Sequence, residues 1–289
     1  MSQRTQDAVR KEYGNIAQSG LNSDQQGTKS IAKAFGYSDE ELSSIPAAAN
    51  MGLSCGNPVA MASIRAGETV VDLGAGGGLD VFLASKQVGP KGRAIGVDMT
   101  GDMVSLARKN AESGGYDNVK FYLAEIEAMP IPDNSVDCVI SNCVLNLCSD
   151  KDAALKEIFR ILKPKGRLAI SDIALKQAIP EAIATEVAAW TGCIAGALTI
   201  DDNRAKLSRA GFGEVEIQDA GSDLNAYRDG GHAACCGPDT TETKSSSCCE
   251  TTPTTDEASF HQTMGELLDS FDVNAYAASV KIFAIKPSA

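Results

Sequence analysis

The run Thr69-Val70-Val71-Asp72-Leu73-Gly74-Ala75-Gly76-Gly77-Gly78 constrains this chain more than any other feature. β-Branched apolar residues read as a buried strand, and the strand ends in an acid followed by closely spaced glycines. A helix-like segment, Leu79 to Val88, comes next. Strand, tight turn and helix start, in that order, form the local geometry that wraps a nucleotide-like cofactor, because backbone amides at the helix start point at the ligand. Glycine suits the turn because the backbone must pass close to the ligand, where a Cβ would collide with it. The spacing narrows the choice. A dinucleotide fingerprint needs glycine at the position held by Leu79, whereas here Gly74, Gly76 and Gly78 alternate. The next strand-like run, Arg93-Ala94-Ile95-Gly96-Val97-Asp98, ends in an acid placed to accept both hydroxyls of a ribose. A glycine turn alone is a weak signal; the turn together with Asp98 is a more specific one.

After Arg65 the chain alternates strand and helix patterns, which means parallel strands with crossover helices and hence an α/β fold. Strands are expected near 69–73, 93–98, 119–123, 136–142 and 167–172, with helices at Asp102–Ser113 and Lys151–Leu162. Lys163-Pro164-Lys165-Gly166 is expected to break the chain before the fifth strand. Further on, Pro180–Trp190 and Asp201–Ala210 read as helices, Glu214–Gln218 as a strand and Ser279–Ile285 as the final strand. Upstream, Val9 to Ala17 reads as a short amphipathic helix, a second helix is expected before about Ser44, and Asn50 to Pro58 is irregular. Four regions result: a helical cap at 1–65, a core at 66–228, a mobile loop at 229–258, and a C-terminal helix and last strand at 259–289. The loop is rich in Ser, Thr, Gly and Asp and has too little apolar surface to order itself.

Composition excludes some functions. The net charge of −12 argues against a nucleic-acid substrate, since phosphate binding needs clustered Lys and Arg. No apolar run is long enough to span a bilayer, and the first residues lack the apolar core of a signal peptide. A cytoplasmic protein without membrane or nucleic-acid partners is therefore expected; a monomer is the working expectation, which composition does not decide. Nine cysteines in a reducing compartment read as thiols, redox centres or metalloid ligands rather than as structural disulfides.

Three of the cysteines have distinctive settings. Asn142-Cys143-Val144-Leu145-Asn146-Leu147 ends the fourth predicted strand, at the sheet edge where ligands of doubly wound folds bind. Cys55 sits in Cys55-Gly56-Asn57-Pro58, and Cys193 in Gly192-Cys193-Ile194-Ala195-Gly196-Ala197-Leu198. Val-Asp-Leu with alternating glycines resembles motif I of the class I S-adenosylmethionine-dependent methyltransferases. The three cysteine motifs in order, with the Val-Arg-x-x-Tyr-Gly opening around Tyr13, closely resemble the arsenite methyltransferases from about Val9 to Gly213. The resemblance implies a Rossmann-like class I fold: a seven-stranded, mostly parallel sheet with an antiparallel last strand and an N-terminal helical cap. It implies S-adenosylmethionine as cofactor, arsenite or a thiol adduct such as its glutathione complex as substrate, and a glutathione or thioredoxin-like reductant. It further implies Cys55, Cys143 and Cys193 as the arsenic ligands. Cofactor contacts would come from Tyr13, Asp72, Gly74, Ala75, Gly76, Leu79 and Asp98. Met99 and Ile126 would cover the adenine faces beside the acids Glu125 and Glu127, with Asn142 and Val144 completing the set. The family often carries a further N-terminal cysteine in its redox cycle; here the first cysteine is Cys55, which leaves an internal disulfide relay without that partner.

Chemistry supports the same reading separately. Trivalent arsenic is soft, binds three sulfurs in a pyramid and keeps a lone pair, and soft ligands select soft centres. A nucleophile with a free lone pair needs no general base, and the only histidines, His232 and His261, lie outside the cofactor core. Positioning would then supply most of the acceleration. The alternatives are plainer. Any one cysteine can be a small buried hydrophobe, which is the preferred reading for Cys138 and the leaning for Cys148. Met99 and Ile126 are equally readable as core packing. Cys235-Cys236 and Cys248-Cys249 could capture arsenic, serve redox chemistry or have no role, and they lack the Cys-x-x-Cys spacing of a zinc site. At the level of function, a methyltransferase for a small organic substrate and a metalloid-binding protein without catalysis are the two rivals.

Overall fold

A computed structural model describes residues 3–184, 193–227, 267–269 and 271–288. The strand and helix pattern after Arg65 becomes one twisted sheet. Its strands are β1 (Thr69–Leu73), β2 (Arg93–Asp98), β3 (Val119–Leu123), β4 (Val136–Asn142), β5 (Leu162–Leu175), β6 (Leu198–Thr199), β7 (Gly213–Asp219) and β8 (Ala277–Ile285). The order across the sheet is β3-β2-β1-β4-β5-β8-β7, with the two-residue β6 paired to the end of β5. Strand β8 inserts antiparallel between β5 and β7, while β1 to β5 are parallel. The expected seven strands are the main path. The eighth, β6, is too short to leave a period in the sequence.

The strand order reverses between β1 and β4, and such a switch point opens a crevice beyond the carboxyl ends of the strands. Register places Asp72 beside Gly96 on one side and beside Ile140 on the other, so Asp72 and Asn142 both arrive at that crevice. The central strands β1, β4 and β5 are buried on both faces over most of their length. Val70, Cys138 and Ile140 point into a layer with Phe82 and Val104, and Val71, Val139 and Leu168 point into the opposite layer with Ile158 and Leu155. Cys138 is wholly inside the first layer, and burial pushes its thiol up to about 12.

One expectation about the path is corrected. Lys163-Pro164-Lys165-Gly166 does not separate helix from strand: the helix Lys151–Ile161 passes directly into β5, and Leu162 already pairs with Val136. The irregularity is absorbed as a register shift between Val136 and Cys138, with Lys165 at φ 66. A bulge of this kind tolerates the missing proline N–H. The far end of β8 pins it, because Lys165 N donates to Lys286 O at 2.8 Å and Lys286 N to Gly166 O at 2.9 Å.

Above the crevice sits the N-terminal helical region. Its helices are α1 (Gln3–Gln18), α2 (Gln26–Ala34), α3 (Asp39–Ser43) and α4 (Pro58–Met61), so α1 begins well before the predicted Val9. Ser38 and Glu41 form a reciprocal cap at the start of α3, and Asn57 caps α4 by accepting from Ala60 N. Helix α5 (Leu79–Val88) follows the glycine turn, and α6 (Gly101–Gly114) follows β2 and lies against α1. Val9, Ile16, Ile31, Phe35 and Met51 pack with Cys55, Cys143 and Cys193 into a third apolar cluster. Among the described residues no helix is long and apolar enough to cross a membrane. The predicted 229–258 loop and most of the helix predicted over 180–190 lie outside the described residues.

Candidate active site

The glycine turn is built as the sequence demands. Gly74, Gly76 and Gly78 have φ of 67°, 50° and 99°, a left-handed backbone that disfavours side chains. A Cβ on Gly74 would come within 2.1 Å of Val144 Cγ2. The turn hangs on β2, since Gly74 N and Ala75 N both donate to Val97 O, at 2.7 and 3.0 Å. Asp98 secures it from the other side, accepting from Gly76 N at 3.0 Å and from Thr100 N at 2.8 Å.

Over this floor opens a crevice of about 960 Å³ that includes solvent at its mouth. All twelve positions expected to hold the cofactor line it: Tyr13 from α1; Asp72, Gly74, Ala75, Gly76 and Leu79 from the turn; Asp98 and Met99 after β2; Ile126 and Glu127 after β3; Asn142 and Val144 after β4. Glu125 joins them, and its Oε1 also accepts from Arg10 Nη2 at 2.6 Å. Three acidic side chains meet here, Asp72 and Asp80 buried and Asp98 partly exposed. Burial, then the nearby Asp80 and Asp98, push Asp72 well above the usual carboxylate range. Burial pushes Asp80 up to about 6, against the lowering effect of hydrogen bonds from Tyr37 and Asn142. Asp98 is raised by burial too, partly offset by its backbone donors.

Sequence reasoning missed Asp80, although an acid inside the apolar run Leu79-Asp80-Val81-Phe82-Leu83 was a signal. It also missed Asn50, Met51, Thr100 and Met103, which the cap and α6 bring to the same wall and which carry no motif. Cys148, read as leaning structural, lines the crevice while its Sγ contacts Val144 O at 3.8 Å; burial pushes its thiol upward.

Beyond Asn142 the three singled-out cysteines come together from distant parts of the chain. Cys55, Cys143 and Cys193 are 2%, 4% and 2% exposed, and Cys193 Sγ donates to Cys143 O. Three free thiols were expected, but Cys55 and Cys143 are joined as a disulfide with Cα atoms 5.8 Å apart, within the range such a bond requires. The cause is local. Asn142 accepts from Cys55 N at 3.0 Å and donates to Gly56 O at 2.8 Å, which fixes the 55–56 turn against the end of β4. Cys193 remains a free thiol; burial and then Asp172 raise it well above its ordinary value. With two sulfurs joined, no group of three or more His, Cys, Asp or Glu among the described residues is arranged as a metal site.

The backbone at these cysteines is unusual. Cys143 and Cys193 have φ of 57° and 62°, a left-handed conformation costing a residue with a side chain about 1–2 kcal/mol. Such strain, held at two thiols by their surroundings, points to function. Tyr227 donates to Ser54 O at 2.7 Å, lies 3.8 Å from Cys55 Sγ, and packs its ring 5.4 Å from that of Phe35. Ser279 donates to Cys55 O at 2.6 Å. Asn146 Nδ2 reaches Asp172 Oδ1, Ile173 O and Cys193 O at 2.8, 2.7 and 3.2 Å, tying the Cys143 turn to the Cys193 segment. Burial raises Asp172 to about 7. Tyr13 links the two parts of the site: it lines the crevice and shares a hydrogen bond with Cys193. Tyr227, Ser279 and Asp172 lie far from any motif and left no sequence signal. His232, His261, Cys235, Cys236, Cys248 and Cys249 lie outside the described residues.

Known proteins are similar to this chain. A family profile described as a methyltransferase domain matches residues 64–219. The arsenite methyltransferase of Halobacterium salinarum is 42% identical over 230 residues, covering 74% of this chain and 59% of that protein. The human arsenite methyltransferase is 37% identical over 152 residues, covering 50% of this chain and 40% of that protein. The chain thus spans less than two thirds of the length of either curated relative. The crystal structure of an arsenic(III) S-adenosylmethionine methyltransferase from Chlamydomonas reinhardtii superposes with a TM-score of 0.53 at 26% identity, covering 90% of this chain and 73% of that one.

Proposed function

Because the chain belongs to the methyltransferase-domain family, we propose that it is an arsenite methyltransferase, moving methyl groups from S-adenosylmethionine to trivalent arsenic held by Cys55, Cys143 and Cys193. One observation carries this reading: three sulfurs from separate segments meet beside a glycine-floored crevice lined by buried carboxylates. An organic substrate would give the strained, converging cysteines no task.

The crevice fits the cofactor by charge and shape. A sulfonium and an ammonium answer the mutual repulsion of Asp72, Asp80 and Asp98. Asp98, oriented by two backbone donors, is set to receive ribose hydroxyls. Met99 and Ile126 offer apolar faces to a flat base, with Glu125 and Glu127 beside them. When bound, the cofactor supplies a methyl group on a sulfonium, which a lone pair accepts without a general base.

The protein's own residues do the rest. A thiol reductant, two glutathiones or a thioredoxin-like dithiol, opens the Cys55–Cys143 bond in two exchange steps, leaves as its own disulfide and restores two thiols beside Cys193. Each thiol then replaces one oxygen or thiol ligand on arsenic, its proton leaving with the departing water or thiol. Thiols of the reductant's class return arsenic to the trivalent state after each methyl transfer, again leaving as a disulfide. Asn142, Ser279 and Tyr227 hold Cys55 and its neighbours, and Asn146 holds Cys193 to the Cys143 turn, so the pyramid is aimed by the fold. The surrounding apolar cluster excludes water from the sulfurs. A cytoplasmic setting suits chemistry that depends on reduced thiols. The test is direct: incubate the purified chain with S-adenosylmethionine, a thiol and arsenite, and speciate the arsenic. Methylated arsenicals are expected; none under conditions where cofactor and arsenite both bind would overturn the proposal.

A further inference from the structure

Between the carboxylate-lined crevice and the cysteines runs a short chain of polar side chains through Tyr37, a buried residue to which the proposed reaction gives no task. Tyr37, 2% exposed, donates its phenol proton to Asp80 Oδ1 at 2.7 Å. Asn142 Nδ2 reaches Tyr37 Oη at 2.9 Å, Gly56 O at 2.8 Å and Asp80 Oδ2 at 3.3 Å, while its Oδ1 accepts from Cys55 N at 3.0 Å. Asp80 is in the crevice wall; Tyr37 is not. One amide therefore holds the cofactor end with its nitrogen and the Cys55 turn with both of its ends. Its two protons are shared among three acceptors, so the strength of any one contact bears on the others.

Resting on the proposed function, we infer that Tyr37 is a positioning residue coupling the two halves of the site: a cation bound beside Asp80 tightens the Asp80–Tyr37–Asn142 chain and so fixes the Cys55–Gly56 turn for arsenic. Burial, and after it Glu41, raises Asp80 to about 6, so that near neutral pH a share of it is protonated and a poorer acceptor. An ammonium beside it restores the carboxylate, whose hydrogen bonds are charge-assisted and about twice as strong as neutral ones. Tyr37 and Asn142 are then held, and Asn142 presents its oxygen to Cys55 N. The turn has little freedom to answer otherwise, because a Cβ on Gly56 would already lie 2.7 Å from the Ser171 side chain. Coupling of this kind is reciprocal, so arsenic should tighten cofactor binding by the same factor.

The experiment measures binding rather than turnover. Calorimetry gives the arsenite affinity of the full chain, kept reduced by a phosphine, with and without saturating S-adenosylhomocysteine. This product retains the ammonium but cannot react. Cys235, Cys236, Cys248 and Cys249 are replaced by serine throughout so that only the inner sulfurs report. In that parent chain the product should tighten arsenite about tenfold, a typical coupling. Tyr37→Phe, which removes one oxygen, should cut the factor below about twofold, and so should Asp80→Asn; the double variant should be no worse than either, as expected for one chain of contacts. Binding of both ligands by the parent without coupling would overturn the inference and leave the proposed function standing. A Tyr37→Phe protein that melts earlier but keeps the tenfold factor would also overturn it, showing Tyr37 to be only a packing residue. A parent chain that binds neither ligand would overturn the proposed function and the inference together.

Discussion

The crevice and the thiol compartment touch at Asn142 and Val144, yet they are built in opposite ways. The crevice comes from short contiguous motifs at the ends of adjacent parallel strands, and its character is electrostatic: Asp80 and Asp98 both act on the buried Asp72. The thiol compartment is assembled from residues 55, 143, 193, 227 and 279, and its character is apolar, with polar contacts aimed at backbone rather than at a ligand. The first can be rebuilt from neighbours along the chain. The second exists only when cap, sheet and C-terminal strand are all in place. A charged cofactor needs an open, polar cleft, whereas a thiophilic substrate needs sulfurs kept from water and from each other's partners.

If the two regions are separable, substitutions on one side should leave the other intact. The largest effect is expected from Cys143→Ser or Cys193→Ser, each abolishing methylation of arsenite and of monomethylarsonous acid. Cys55→Ser should abolish the first methylation and spare the second in part, because arsenic that already carries a methyl group needs only two sulfurs. Serine keeps the size but offers a hard oxygen, so the loss reports ligand softness. Cofactor affinity, followed by calorimetry, should hold in all three; a parallel fall would show that the regions are one unit.

On the other side, Asp98→Ala should weaken cofactor binding by about 1.5–3 kcal/mol, the worth of a charged hydrogen-bond partner, with arsenite binding unchanged. Loss of arsenite affinity in this variant would break the comparison from the crevice side. Gly74→Ala probes the seam itself, since the new Cβ would meet Val144 at 2.1 Å on a backbone with φ of 67°. Crowding of this kind costs about 1–3 kcal/mol of stability, measurable by urea unfolding. Unlike Asp98→Ala, it should disturb both ligands, because Val144 follows Cys143.

A pH dependence separates the two regions in another way. Asp80 and Asp172 titrate at about 6 and about 7 in the folded protein, above the ordinary 3.8. The folded state therefore holds protons that the unfolded state has released, and the stability they give is full below about pH 3.8 and is lost as pH rises through 6 to 7. Saturating S-adenosylhomocysteine should relieve the Asp80 share, whose repulsion a cation removes, and leave the Asp172 share behind the cysteines untouched. Melting temperatures with and without the ligand across pH 4–8 check this. Equal slopes in both series would mean that no cation reaches Asp80.

Much of the crevice was legible because its geometry is local. Alternating glycines after a β-branched strand can hardly fold otherwise, and Asp98 ends the next strand by the same rule. Asp80 was legible too and was passed over, its charge masked by the apolar residues around it. The thiol side was legible as three marked cysteines but not as an arrangement. Nothing in the sequence tied Cys55 to Cys143, 88 residues apart, or set Tyr227 and Ser279 beside them. The Lys-Pro-Lys-Gly segment misled for a related reason: it reads as a break, but pairing with the end of β8 holds it in the sheet.

By itself the sequence determined the α/β alternation, a strand at the C-terminal end, the glycine floor and the acids at the strand ends. Those follow from backbone sterics and side-chain period, which act over a few residues. Only the tertiary structure decided the insertion of β8 between β5 and β7, the disulfide that joins two of the three marked cysteines, and the buried chain from Asp80 through Tyr37 and Asn142 to Cys55. Each of these is a meeting of distant segments. It is set by which surfaces bury best against one another and by which buried polar groups find partners, and no local pattern encodes that.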